Sequence, residues 1–371
     1  MSVPYWLIKS QNHLHYDFII IGGGIAGVST AYWIKKNHPK ATVLILEKNT
    51  LGSGASGRNA GFISSGSIAL FEKKVEHFGL KTALEIRNFY KENHNLIKQE
   101  IIPTSLDKSS VDYKLCGSIT LSSGNNELVE TLNANGFDID LVTAMDLKSQ
   151  GLSNFSASFL DKEDASVHSH KLVNKIFSKS EASLLENCEV YKVDGTKIFT
   201  NQGQLNCDTV IYAMNGYSNT LLDAKVSPIR AQILVAKMDH HLITNFYSPT
   251  HLCYFRPLDY NHVLIGGFRK LEEDTEVGYS DHFVTPKIQN AFFEFLKSNV
   301  VHKNIEIENQ WAGIMGFTHD DMPLIGEIAK NTYFIGGFNG HGMGQSFHCA
   351  KVLSDLILNQ IEVPTFLKIG R

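Results

Sequence analysis

Phe18-Ile-Ile-Ile21-Gly22-Gly-Gly24-Ile25-Ala26-Gly27 is the stretch on which the fold turns. A short β-branched run ends in glycines, the pattern of a buried parallel strand entering a tight turn. Val28 to Asn37 then reads as a helix, with Val28, Ala31, Tyr32 and Ile34 facing inward, and Pro39 ends it. Thr42-Val-Leu-Ile-Leu-Glu47 is a second strand, which completes a βαβ unit. In such a unit Gly22 permits the turn, Gly24 lets backbone approach a pyrophosphate, and Gly27 lets helix pack on strand. The helix start at Ile25 and Ala26 offers N–H groups and partial positive charge to phosphates. Glu47, followed by Lys48, stands 20 residues beyond Gly27 and is placed to accept hydrogen bonds from a ribose diol. Strand, helix and acid in register point to a dinucleotide, and leave NAD and FAD both open.

Outward from this unit, residues 48–67 are rich in Gly, Ser and Asn, and a helical pattern resumes near Glu72. A long helix is predicted over about 77–101, with short strands and turns over 112–165 and a helix at about 169–180. Strand-like pieces occupy 188–200, and Asp208-Thr-Val-Ile-Tyr-Ala213 is another buried strand. From Ile229 to Phe268 the pattern is all β, including Tyr254-Phe-Arg256 and Val263-Leu-Ile265. A helix covers about 286–299, a strand Tyr333-Phe-Ile335, and a closing helix about Gln345 to Asn359.

The 371 residues correspond to two domains at roughly 150 residues each. A 43% hydrophobic and 19% charged composition excludes a disordered or fibrous chain, and a net charge of −4 without a basic cluster argues against nucleic acid. The five cysteines are scattered and lack metal-ligand spacing, which fits reduced thiols in a cytoplasmic protein. Met1 to Tyr16 has neither a basic nor an apolar export region, and no apolar stretch is long enough to cross a bilayer. Of the 29 glycines, nine lie between Gly22 and Gly66 and eight between Gly313 and Gly344, so both ends of the chain carry close-approach backbone.

Three further segments narrow the cofactor. They are Leu51-Gly-Ser-Gly-Ala-Ser-Gly-Arg-Asn-Ala-Gly-Phe62, Trp311-Ala-Gly-Ile-Met-Gly-Phe-Thr-His-Asp-Asp-Met-Pro-Leu-Ile-Gly326 and Ile335-Gly-Gly-Phe-Asn-Gly-His-Gly-Met-Gly344. With Ala165-Ser-Val-His168 and Val210-Ile-Tyr-Ala-Met-Asn-Gly216, they make the chain resemble the FAD-dependent D-amino-acid oxidase superfamily along nearly its whole length. That superfamily includes glycine and sarcosine oxidases and amine oxidases of the glutamylputrescine type. The resemblance implies that Gly22, Gly24, Gly27 and Glu47 hold the ADP half of FAD. It places Ser53, Ala55, Ser56 and the Arg58-Asn59-Ala60-Gly61 backbone along the pyrophosphate and flavin ring. Val190 would flank the adenine, and Ala213, Asn215 and Gly216 would lie near the phosphates. Gly340, His341, Gly342, Met343 and Gly344 would sit beside the isoalloxazine, the closing helix aimed at the edge where reduced flavin gathers charge.

Two positions depart from the family pattern. The glycine-oxidase branch places a carboxylate-binding arginine just after a Trp-Ala-Gly-Leu-like segment, and the sarcosine branch has a flavin-linked cysteine near it. Here Met315 follows Trp311-Ala-Gly-Ile314, so the flavin is expected to be noncovalent. The lysine that activates oxygen in the sarcosine branch aligns with Leu264, which leaves oxygen or another electron acceptor open.

Tyr254 and Arg256 alternate on one predicted strand and so face one way. Arg256 is a candidate to grip a substrate carboxylate; a structural ion pair at a sheet edge is the plainer alternative and the favoured one. Arg58 is a candidate to polarise reduced flavin or simply to pack on the cofactor loop, and His341 is a candidate flavin contact. Asp320 and Asp321 read as turn formers before Pro323.

The sequence therefore reads as α/β, a Rossmann-like FAD-binding domain with an inserted α+β substrate domain on a mixed, largely antiparallel sheet. The expected boundaries are 1–75, 145–225 and 310–371 for the FAD domain, and 76–144 and 226–309 for the substrate domain. The expected activity is oxidation of a C–N bond of a primary or secondary amine or amino acid, hydride passing to flavin N5 before imine hydrolysis. The alternatives are a glycine or D-amino-acid oxidase with a relocated arginine (Arg256 or Arg269) and a non-catalytic flavin-binding subunit.

Overall fold

A computed structural model describes residues 15–122, 126–156, 158–301 and 304–371. Most of the Met1–Tyr16 stretch, expected to carry no export signal, lies outside the described residues. The chain divides into two compact units. One comprises residues 1–57, 170–228 and 315–371, the other residues 58–169 and 229–314.

The first unit is built on strand His15–Ile21, which pairs in parallel with Val43–Leu46 on one side and Gly203–Tyr212 on the other. Its last four residues are buried, as a strand covered on both faces requires. Val43–Leu46 continues in parallel to Ser183–Leu185, and Thr332–Gly336 pairs in parallel with the end of Gly203–Tyr212. Antiparallel strands Val190–Asp194, Lys197–Thr200 and Leu324–Ala329 complete the sheet. The helix Ile25–Asn37 is buried from Ile25 through Ile34. Part of its cover is the closing helix Gly342–Asn359: Trp33 Nε1 donates to the Phe347 carbonyl at 2.9 Å, and the rings of Tyr32, Trp33 and Phe347 cluster within 5.5 Å.

The second unit contains strands of a sheet ordered Ile305–Phe317, Ser227–Met238, His262–Gly267, Cys253–Pro257, Asn245–Ser248, Ser118–Thr120, Ser158–Asp161 and Ile139–Val142. The pair Asn245–Ser248 with Ser118–Thr120 is parallel, whereas the registered neighbours on either side are antiparallel. Period-two alternation gives this sheet two distinct faces. Leu234, Ala236, Phe255, Val263 and Ile265 point into a core with Ile288, Phe292, Phe295 and Leu296 of helix Pro286–Asn299. Ile233, Val235, Tyr254 and Leu264 point the other way, against Ala60, Phe62 and Trp311.

Several expectations need correction. Segments 58–75 and 145–169, expected with the FAD domain, fall in the second unit. There, Phe62–Ile63 pairs with Ala165–Ser166, and Ile68 and Phe71 join Val129, Leu132 and Phe159 in one core. The long helix begins at Ile68, not near residue 77; Ser67 caps it by accepting from the Leu70 N–H. Gly79, at φ 78°, is non-helical and kinks it. Within 112–165, helices Asn126–Ala134 and Ala144–Ser149 stand where only strands and turns were expected, the second closed by a Thr143/Asp146 capping box.

Candidate flavin and substrate site

The glycine loop of the first unit has no room for side chains. Gly22 has φ 113°, and a Cβ there would meet the Ala213 carbonyl oxygen at 2.7 Å. A Cβ on Gly27 would stand 1.9 Å from the Gly22 carbonyl oxygen, so helix and strand touch backbone to backbone. Gly24 is the N-cap of Ile25–Asn37 and provides no side-chain cap. Ser56 Oγ satisfies the Ile25 N–H at 2.8 Å. The other first-turn N–H groups, at Ala26 and Gly27, have no intrahelical partners and form the anion-binding end that a diphosphate needs. The loop thus fits FAD by its own construction.

Glu47 follows the second strand and closes onto this loop. Its Oε2 accepts from the Gly23 N–H at 2.8 Å and its Oε1 from the Asn49 N–H at 2.9 Å. The carboxylate is thereby oriented, and each oxygen retains a lone pair for a ribose hydroxyl. Lys48 instead reaches outward to Glu189 at 2.7 Å, both side chains largely exposed. Val190 opens the antiparallel edge strand Val190–Asp194 and is half-buried. Ser53 and Ala55 lie on the adjoining turn and short helix, the Ser53 N–H donating to the Thr50 carbonyl at 3.0 Å.

Asn215 has a structural duty that its sequence position did not disclose. At φ 48°, its Oδ1 accepts from the N–H groups of Gly337 (2.9 Å) and Phe338 (3.3 Å). It therefore ties the segment after Ala213 to the second glycine cluster, with Gly216 buried beside it. In that cluster Gly340 takes φ 80°, and a Cβ there would lie 3.2 Å from Met315 Sδ. His341 is the N-cap of the closing helix, without a side-chain cap, followed by Gly342, buried Met343 and Gly344. Its Nδ1 bonds the Asn339 carbonyl at 2.8 Å, so in the neutral ring Nδ1 carries the proton and Nε2 is the acceptor. Asp320 and Asp321 do form a turn, and Asp320 also binds Arg371 through Nε at 2.7 Å and Nη2 at 3.0 Å. Burial opposes that charge, but the Arg371 hydrogen bonds hold the Asp320 carboxyl below its ordinary range.

In the second unit the loop from Arg58 to Gly61 is fastened at every residue but Ala60. Trp311 Nε1 donates to the Arg58 carbonyl at 2.9 Å, and Arg58 Nη1 donates to the Ala312 carbonyl at 3.1 Å. Asn59 Oδ1 accepts from the Gly61 N–H at 2.7 Å, and the Val167 N–H donates to the Gly61 carbonyl at 2.8 Å. Ala60 packs on the sheet face that carries Tyr254 and Leu264. Burial pushes the Tyr254 phenol up to about 12, so it stays protonated at neutral pH.

Arg256 shares that face with Tyr254 by strand parity. The expected alternative is an ion pair at a sheet edge, and that position is not what the structure contains. Cys253–Pro257 is an interior strand, flanked by Asn245–Ser248 and His262–Gly267. Arg256 is buried, its Nη2 donates to the Val167 carbonyl at 3.1 Å, and Asp112 acts on it as a counter-charge. Burial pulls the guanidinium down to about 10, which leaves it charged at neutral pH. Arg269 starts the short turn Arg269–Glu272, and its charge acts on Tyr254, opposing the burial that raises the phenol.

The family profile described as "DAO: FAD dependent oxidoreductase" matches residues 17–356. The chain belongs to this family. It is an FAD-dependent oxidoreductase, and FAD is its cofactor. Gamma-glutamylputrescine oxidoreductase of Escherichia coli (strain K12) is 22% identical over 93% of this chain and 84% of its own length. Sarcosine oxidase subunit beta of Arthrobacter sp. is 23% identical over 95% of this chain and 90% of its own. Glycine oxidase from Bacillus cereus ATCC 14579 shares the fold, with a TM-score of 0.76 and 20% identity over 94% of this chain and 96% of its own. No helix among the described residues is long and apolar enough to cross a membrane.

Proposed function

We propose that this oxidoreductase oxidises a C–N bond of a primary or secondary amine or an amino acid, the imine product then hydrolysing to a carbonyl compound and ammonia or a smaller amine. Bound FAD supplies the hydride acceptor, its N5. The observation that carries the reading is the sheet face of Ile233, Val235, Tyr254 and Leu264 packed against the Ala60-to-Phe62 loop. An amine loses its lone pair on protonation, and an apolar surface disfavours the ammonium form. Tyr254, held as a phenol, orients a substrate as a hydrogen-bond donor or through its ring and does not act as a base.

The chain's own residues divide the remaining work. Gly22 to Gly27, Ile25, Ala26 and Glu47 grip the ADP half, and the Ser53-to-Ser56 turn with the Arg58-to-Gly61 backbone supports the rest of the cofactor. His341 to Gly344 open the closing helix, whose positive end would face the edge where reduced flavin gathers charge. Met315 offers no thiol for a thioether, which supports noncovalent flavin. Five free cysteines support a cytoplasmic setting. Oxygen or another acceptor reoxidises the flavin; Leu264 in the buried sheet provides no cation for oxygen activation.

An aerobic screen of amines and amino acids, scored for carbonyl product, released amine and peroxide, tests this function. Product with peroxide identifies an oxidase, and product only with an added acceptor identifies a dehydrogenase. Flavin that remains bound while no substrate yields product supports a non-catalytic flavin-binding subunit instead.

A further inference from the structure

Among the described residues the buried carboxylates are Asp161, Asp164, Glu276 and Asp320, and all but one of them hold an arginine. Asp161 accepts from Arg87 Nη2 at 2.6 Å, Glu276 from Arg230 Nη2 at 3.0 Å, and Asp320 takes two bonds from Arg371. Asp164 is 1% exposed, and no cation among the described residues pairs with it. Its side-chain partners are three neutral donors. Ser64 Oγ, at 2.6 Å, and Ser118 Oγ donate to Oδ2, and the Ser65 N–H donates to Oδ1 at 2.9 Å.

The donors come from two distant stretches, so Asp164 is a node and not a local turn. Ser64 and Ser65 follow Phe62–Ile63, which pairs with Ala165–Ser166 and leads directly out of the Arg58-to-Gly61 loop. Phe62 sets its ring edge against Tyr254, centroids 5.8 Å apart. One carboxylate thus fastens the far end of a segment that starts as the cofactor loop and crosses the Tyr254 face. A buried carboxylate without a counter-charge tends to take up a proton. Asp161 and Cys116 act on Asp164 directly, and Glu163 acts on Asp161 while paired with Lys91 at 2.8 Å. His94, on the helix that carries Arg87 and Lys91, is held neutral by burial. Burial, reinforced by the Asp161 charge, pushes the Asp164 carboxyl up to about 7 against the pull of its three donors. Arg87 favours the ionised form of Asp161, so Asp164 is the carboxyl of the two that takes the proton.

We propose that Asp164 is a positioning residue for the cofactor loop, and that one proton on it switches the segment from Arg58 to Ser65 between a clamped and a loosened state. Its effect on turnover rests on the amine-oxidising reading, to which it adds control by pH. As a carboxylate, Asp164 accepts all three bonds. As an acid, its Oδ2 donates to one serine, whose own hydroxyl must turn away. Ser64 Oγ also accepts from the Gly66 N–H at 2.9 Å, so its one hydroxyl proton is all that it offers Asp164. Protonation therefore removes a charge-assisted bond from the end of strand Phe62–Ile63. The clamped carboxylate form is the active one, and amine oxidation rises with pH through the Asp164 transition.

The test follows the FAD-loaded protein from about pH 5 to 9 by the carboxylic-acid C=O band in the infrared, the circular dichroism of bound oxidised flavin, and the rate of flavin reduction at saturating amine. In wild type all three are expected to change with one midpoint at about 7. Asp164→Asn cannot titrate there. It is expected to lose the infrared and dichroism changes and to reduce its flavin roughly tenfold more slowly than the wild-type plateau. Ser118→Ala removes one donor to the carboxylate and is expected to raise the midpoint by about one pH unit. An unmoved midpoint in Ser118→Ala overturns the proposal, even where Asp164→Asn fails to fold. So does infrared titration of Asp164 with flat flavin dichroism, which marks a purely structural acid. A rate limb that follows the pKa of whichever amine is used belongs to the substrate and also overturns it. If amines reduce the flavin with no dichroism change and no limb at this midpoint, the inference fails while the amine-oxidising function stands. If the dichroism titrates through Asp164 and no amine reacts, the hold on the cofactor loop stands and the amine-oxidising reading fails.

Discussion

Gly266 lies directly across the antiparallel ladder from Tyr254, and the tyrosine ring occupies the space that a side chain at Gly266 would fill. A Cβ there would stand 2.5 Å from the Tyr254 Oη and 2.7 Å from the ring edge. One missing side chain therefore sets where the phenol sits on the face that also carries Leu264 and Trp311.

Gly266→Ala is expected to displace the Tyr254 ring and to cost about 1–3 kcal/mol by overpacking. Flavin content should remain near wild type because the ADP grip belongs to the other unit. The rate of flavin reduction by a working amine should fall at least tenfold. Thermal unfolding, bound-flavin absorbance and stopped-flow reduction read the three effects separately.

Gly27→Ala puts a methyl 1.9 Å from the Gly22 carbonyl oxygen, a clash that flexible side chains cannot absorb. Helix and strand must separate, and the diphosphate end of the helix moves with them. The variant is expected to purify without FAD or to remain insoluble. Flavin released on denaturation, per mole of protein, is the measurement.

Glu47→Gln retains one acceptor oxygen and introduces an amide N–H toward either Gly23 or Asn49, both of which donate. The loop is left with a mismatched donor pair, and a ribose loses a charged acceptor. FAD affinity is expected to fall by roughly 10- to 100-fold, read from the fluorescence of flavin freed on dilution.

His94 is buried, and its Nε2 lies 3.0 Å from Tyr113 Oη. Burial, reinforced by Lys98, pulls its pKa down to about 4 from an ordinary value near 6.5. The unfolded chain therefore binds a proton that the folded chain refuses between those values. The stability tied to a neutral His94 is fully present above about pH 6.5 and is lost as pH falls toward 4, by roughly 3 kcal/mol. His94→Gln should flatten this part of the pH dependence, seen by denaturant unfolding of both proteins across the same window.

Much of the first unit was legible because its signals are local. Phe18 to Gly27, Val43 to Leu46 and Gly342 to Asn359 announce their elements through β-branched runs, glycines and helical spacing. What escaped depends on distant partners. Whether Cys253–Pro257 is an edge or an interior strand depends on Asn245–Ser248 and His262–Gly267 pairing on either side of it, which no local pattern records. The same holds for Asn215, whose side chain serves amides more than 120 residues away. The short helix Ala144–Ser149 could have been found, since Thr143 and Asp146 spell a capping box. The start of the long helix could have been found too, from Ser67 before Ile68.

The central claim is that this chain, loaded with FAD, oxidises the C–N bond of an amine. Anaerobic titration of the purified, flavin-loaded protein with primary and secondary amines and amino acids tests it most directly. The account predicts loss of the visible oxidised-flavin band with at least one of them, and its return when an electron acceptor is added. An oxidised spectrum unchanged across the whole panel, with the flavin still bound and still reducible by dithionite, would contradict it.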